Sequence, residues 1–336
     1  MYTPVNARTK VAGGWLAVLA GISALLLTVI LAADCQAAGL RQKRFATPEQ
    51  AALALVEAAK SDDLKGMLAI LGPGSRELIY SGDGVADNAG RDRFVAAYEQ
   101  KHTLAVKNST TRLLQIGADD WPLPIPIVKR KNGWGFDAGK GKQEILKRRV
   151  GRNELRVIEV LDAYVDAQQE YASKDCRGGG KVEFAQCIIS SPGTHDGLYW
   201  EDRKSEQQSP LGPLMARAAR EGYDTKNGNR SPFYGYYFKV LTGQGPSAVG
   251  GSYQYVVKGR MILGFAMIAY PAEYGNSGVM TFMVNQAGVI YEKNLGKGTL
   301  RLAERTTLFN PGKGWKKVTR TEPSRRKIAS PAGTKP

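Results

Sequence analysis

Hydrophobic positions change their rhythm three times along the chain. Residues 15–33 are an unbroken, uncharged apolar run. From residue 47 the spacing becomes helical. Thr47 stands as N-cap, Pro48 at N1 and Gln50 completes a capping box, with Leu53 and Val56 on the buried face. Asp62 or Asp63 caps a second helix that buries Leu64, Met67, Leu68 and Leu71 and stops at Gly72-Pro73-Gly74. Residues 81–90 read as a Gly/Asp/Asn loop, and Phe94, Ala97 and Tyr98 mark a third, short helix. The period then drops towards two. Residues 110–116 read as a strand, and residues 123–131 and 134–136 flank Asn132-Gly133, a strong hairpin signal. Pro122, Pro124 and Pro126 place the first of those two strands at an edge.

A long helix is predicted over residues 152–173, with Val157, Val160, Leu161, Tyr164, Gln168 and Tyr171 on one face. Pro213 and Gly222 bracket another short helix. Residues 234–241, 253–257, 261–270, 279–285 and 289–292 read as strands of an antiparallel meander. Residues 261–270 are apolar at every position type, which predicts a central strand covered on both faces. The fold class is therefore α+β. An N-terminal α+β domain spans 45–150, a C-terminal α+β domain 151–310, and a Pro-, Ser- and Lys-rich tail, expected to be disordered, 317–336. The order of one long helix and then a meander is pilin-head-like by analogy. The helix-then-sheet order of 45–140 is reminiscent of cone-shaped nuclear-transport-factor-like domains.

The apolar run changes the reading of everything after it. Arg8 and Lys10 precede it, and small residues end it at Cys35-Gln36-Ala37-Ala38. This is the layout of an export signal over residues 1–38, cleaved after Ala37 or Ala38. An uncleaved inner-membrane anchor is the alternative, since about 20 apolar residues span a bilayer. Either way the rest of the chain is expected in the periplasm or outside the cell. Cleavage removes Cys35 and leaves Cys176 and Cys187, an even count in an oxidising compartment. A disulfide between them is expected, worth roughly 3 kcal/mol. The net charge of +16 suits anionic envelope polymers met through long-range attraction. Nucleic acid is not expected as a partner, because export separates the two.

Candidate chemistry is sparse. No cofactor motif occurs, and two cysteines with His102 and His195 at unrelated spacings make no metal site. Residues 245–252 resemble a phosphate-binding loop, but Gly251 stands where the lysine belongs. His195, beside Asp196-Gly197 and followed by Glu201, is a weak candidate for a general acid or base. Glu201 with Glu273 is a weak candidate carboxylate pair for glycoside hydrolysis. Tyr234, Tyr236, Tyr253, Tyr255, Tyr270 and Tyr274 could present an aromatic binding face on alternating strand positions. Packing within the sheet is the other reading of the same tyrosines.

From Asn153 onward a set of specific motifs stands out: Asn153-Glu154-Leu155, residues 163–168, 209–213, 234–238, 241–245, 269–275 and 281–285. They resemble the exported bacterial family catalogued as domain of unknown function 2950, and the resemblance covers residues 45 to about 306. It implies a Gram-negative envelope location and carries over no catalytic residue. The expected function is a non-enzymatic binding or assembly module for a partner protein or an anionic envelope polymer. A hydrolase of an envelope glycan or peptide is the alternative, and a pilin-like structural subunit the third reading.

Overall fold

The computed structural model describes residues 41–176, 182–201, 208–224 and 231–319. The apolar run with Cys35 lies outside the described residues, as do residues 320–336. No helix among the described residues is long and apolar enough to cross a membrane.

The architecture is α+β, built round two hydrophobic cores. The first core begins with α1 (Pro48–Lys60), α2 (Leu64–Leu71), α3 (Arg76–Ile79) and α4 (Gly84–Gln100). The Thr47 hydroxyl accepts from the Gln50 N–H at 3.2 Å, and the Gln50 side chain accepts from the Ala46 N–H at 3.2 Å. Asp63 caps α2 through the Gly66 N–H at 2.8 Å. α4 begins well before the expected short helix. Asp83 caps it by accepting from the Ala86 N–H at 3.0 Å. Its first turns carry few large apolar residues, so periodicity alone read them as a loop. The segment ahead of α1 is pinned from Gln42. The Gln42 side-chain amide donates to the carbonyls of Ile70, Leu71 and Phe136 at 3.0, 3.0 and 2.7 Å. Two of these are the carbonyls that α2 leaves unpaired at its C-terminal end.

Five strands follow: β1 (His102–Asn108), β2 (Thr111–Ile116), β3 (Trp121–Pro122), β4 (Ile127–Arg130) and β5 (Gly133–Phe136). The sheet order is β1-β2-β4-β5, with the short β3 pairing β2 beside that path. β1 was not legible because most of its positions are exposed and give no contrast. The hairpin at Asn132-Gly133 forms, with Arg130 opposite Gly133 and Gly133 at φ 106°. β4, however, is not an edge strand. Its ladder starts at Ile127, after the last of the three prolines, so no proline is asked for an N–H.

α5 (Ala138–Ser173) runs for 36 residues and starts 14 residues earlier than its apolar stripe suggests. Three glycines and several basic residues mask its first turns. Gly141 is required there: a Cβ would stand 2.6 Å from the Pro124 carbonyl oxygen. Ile145 of α5 packs against the first core, and Val157, Val160, Leu161 and Tyr164 belong to the second. One helix thus serves both cores.

The second half adds β6 (Cys187–Ile189), β7 (Gly197–Tyr199), α6 (Gly212–Arg220), β8 (Tyr236–Leu241), β9 (Gly243–Gln244), β10 (Tyr253–Gln254), β11 (Val256–Val257), β12 (Arg260–Met261), β13 (Ala266–Pro271), β14 (Met280–Asn285), β15 (Tyr291–Asn294), α7 (Thr299–Arg305), β16 (Leu308–Phe309) and β17 (Lys316–Lys317). The main sheet runs β17-β15-β14-β13-β8, every neighbour antiparallel. All six residues of β13 are buried. α5 covers one face, where Tyr164 donates to the Ala266 carbonyl at 3.3 Å, and α7 lies against the strand as well. That is the doubly covered central strand. β17 and Val318, which packs on the core, extend order into residues expected in the tail.

No disulfide joins Cys176 to Cys187, and that expectation is corrected. Cys176 is buried in the second core, and burial pushes its thiol pKa up. Cys187 Sγ donates to the Asp196 carbonyl at 3.4 Å. Burial that disfavours the Cys176 thiolate also disfavours the attack that would form a disulfide.

The two halves meet at a polar seam centred on Asp83. Its carboxylate accepts from the Gly235 N–H at 2.8 Å and from the Tyr223 hydroxyl at 2.9 Å, besides capping α4. Burial raises the Asp83 pKa, and its hydrogen bonds only partly oppose this. Asp83→Ala strands buried donors on both sides and is expected to cost about 2–4 kcal/mol in urea unfolding. The native state binds the Asp83 proton more tightly than the unfolded chain. Its contribution is therefore full below the unfolded pKa and is lost as pH rises through the folded one. Asp83→Asn should remove that decline from the pH profile of stability.

Candidate functional site

Between the helices and the sheet of the first half lies a cavity of about 770 Å³. Every helix from α1 to α5 contributes to it. Leu55, Met67, Ile79 and Phe94 line it from the helices, and Ile116 and Ile125 from the sheet side. Apart from half-buried Phe94 these residues belong to the buried core of this half, so the floor is apolar and fixed by packing. The volume lies within the about 300–1,000 Å³ typical of small-molecule sites.

The charged lining is unequal. Arg91, Arg93, Arg149 and Arg152 face Asp87 and Asp119. Two of the arginines are engaged. Arg91 pairs with Asp62 at 2.7 Å. Arg149 donates to the carbonyls of Glu77 and Leu78 at 2.6 and 2.9 Å and to the Asn276 side-chain oxygen. Burial lowers the Arg149 pKa, and the Asp87 and Glu273 carboxylates partly offset it. Asp87 accepts from the Ser81 N–H at 2.9 Å. Arg93 and Arg152 have no hydrogen-bond or ion-pair partner among the described residues. Burial lowers the Arg152 pKa, and the neighbouring charges of Arg93 and Arg156 lower it further. Trp121, 42 % exposed, also lines the cavity and lies under the Arg148 guanidinium at 5.1 Å.

A family described as protein of unknown function (DUF2950) matches residues 42–318. The chain belongs to this family. No curated protein and no solved structure matches it. The residues matched to DUF2950 include the whole cavity, the seam and the main sheet.

The residues singled out from sequence are placed differently. His195 is half-buried, with its ring stacked on Trp200 at 4.2 Å, and its carbonyl accepts from the Tyr171 hydroxyl at 2.6 Å. Asp196 closes the local turn, accepting from the Ser191 N–H, the Ser191 hydroxyl and the Thr194 hydroxyl at 2.7–2.8 Å. Burial alone would raise the Asp196 pKa, but these donors outweigh it and hold it below its ordinary value. Glu201 is exposed at the end of a described stretch. Glu273 is half-buried in the seam loop and accepts from the Asn276 side-chain amide at 2.8 Å. Among the described residues no three His, Cys, Asp or Glu side chains are grouped so as to hold a metal ion.

The tyrosines do not form an exposed face. Tyr234, Tyr236, Tyr255 and Tyr270 are buried, and Tyr253 and Tyr274 half-buried. Tyr236 donates to the Met280 carbonyl at 2.9 Å and Tyr255 to the Gln244 side-chain oxygen at 3.0 Å. Burial pushes the Tyr255 pKa up to about 12. Both faces of the sheet are covered, so alternation sends aromatics into packing on either side. The glycine-rich loop is also filled: the Gln244 amide donates to the carbonyls of Val249 and Gly251, both at 2.8 Å.

Sequence reasoning missed Arg93, Arg149 and Arg152: the long helix was begun after Arg149, and although Arg152 and Arg93 fell in or beside expected helices, nothing in the chain showed that those helices meet round one cavity. The available signal was the run of charges at Lys147-Arg148-Arg149, which a longer helix would have placed on one side of the first core.

His195→Ala should cost about 0.5–1.5 kcal/mol of stability, the worth of an aromatic pair. For Asp196 the sign is opposite to that of Asp83. Its stabilisation is present above the unfolded pKa and lost as pH falls through the folded one. Urea midpoints of wild type and Asp196→Asn should differ near neutral pH and converge on acidification.

Proposed function

We propose that the chain is a non-enzymatic binding module of the bacterial envelope, with its ligand held in the cavity of the first half. The observation that carries this is the cavity itself: a large space with an apolar floor, walled by seven elements, with charged side chains on the rest of its lining. An apolar space of this size inside a small domain gives up packing that a filled core would have. A ligand that restores those contacts compensates the loss. The export signal and the net charge of +16 support residence among anionic envelope polymers. His195, Asp196 and the seam carboxylates are tied into local structure, which supports binding over hydrolysis.

The test uses N-phenyl-1-naphthylamine, an uncharged dye that brightens in apolar sites. The protein should bind it at one equivalent. Ala97→Trp, which places an indole in the cavity, should weaken it at least tenfold while leaving cooperative unfolding intact. No dye binding, or binding indifferent to Ala97→Trp, would overturn the proposal.

A further inference from the structure

The cavity's chemistry narrows the ligand class, provided the cavity is a binding site as proposed above. Its floor can accept only an apolar body. Its charged lining carries four arginines and two carboxylates. The engaged arginines are accounted for by Asp62 and by the carbonyls at the end of α3. Arg93 on α4 and Arg152 on α5 remain, both exposed and both lining the cavity. Both line the same cavity, and Arg93 and Arg156 lie near enough to disfavour the charge on Arg152. Two guanidinium groups at the edge of an apolar floor, neither held in an ion pair, are stabilised by an anion that reaches both. Arginine forks suit the planar or tetrahedral oxygens of a carboxylate or phosphate.

We infer that the cavity takes a single-chain amphiphile with an anionic head, its oxygens held by Arg93 and Arg152 and its chain laid against Met67, Phe94 and Ile116. Carboxylate and phosphate heads share this chemistry. The wall made by Leu55, Ile79 and Ile125 contacts the remainder of the chain.

Displacement of N-phenyl-1-naphthylamine from the full chain by dodecanoate, dodecyl phosphate and dodecanol separates the possibilities. These share one chain and differ only at the head. At pH 7.5 one or both anions should bind at least tenfold tighter than dodecanol, and the preference should shrink as salt rises. Preference for dodecanoate alone assigns a carboxylate head, and preference for dodecyl phosphate alone a phosphate head. The double variant Arg93→Gln/Arg152→Gln should bring the anions to the affinity of dodecanol and leave dodecanol unchanged. Both side chains are exposed and repel each other, so the variant should unfold no lower than the wild-type midpoint. Equal binding of anions and alcohol, or a preference that survives the double variant, would overturn the inference while leaving the cavity a binding site. Failure of the dye and all three amphiphiles to bind would overturn the binding site itself.

Discussion

A single buried carboxylate ties the two cores together. Asp83 begins α4 and, through its other oxygen, accepts from Gly235 and Tyr223 in the second half. A carboxylate out of water survives only if its lone pairs are met. The hydrogen bonds of Asp83 therefore specify how the halves sit, more than they add to net stability. Arg149 does the same from α5, binding the end of α3 on one side and Asn276 on the other. Asn276 in turn donates to the Tyr80 carbonyl at 2.7 Å. Because α5 packs into both cores, this seam also fixes where Arg149 and Arg152 fall relative to the cavity.

The wall of that cavity is consequently shared. Arg149 lines the space and also holds the seam loop of the second half, whose Glu273 lies near it. Arg93 and Arg152 line the cavity at exposed positions. The division follows from chemistry. A buried guanidinium must satisfy its donors within the protein, whereas one at the surface can keep them for water or for a ligand.

Much of the architecture was legible in the chain. Thr47, Pro48 and Gln50 announce α1, Asn132-Gly133 announces its hairpin, and the apolar run at 261–270 announces the covered strand β13. What failed did so for physical reasons. β1 is mostly exposed, so its alternation has no contrast. The start of α4 depends on an Asp83 whose importance comes from residues 152 positions away in sequence. The first turns of α5 carry glycine because the Pro124 carbonyl passes too close for a Cβ, and that approach is tertiary. The site was less legible still. The tyrosines looked like a face because alternation was counted on one side of a sheet that packs on both. The cavity has no motif, since residues from α1 to α5 meet there only once folded.

The most direct test of the cavity as the ligand site is a methyl NMR titration of Ile-, Leu- and Met-labelled protein with dodecanoate. The account predicts saturable shifts at Met67, Ile79, Ile116 and Ile125. Shifts confined instead to Ile188, Leu214 and Met215, which line the small apolar pocket beside α6, would contradict it.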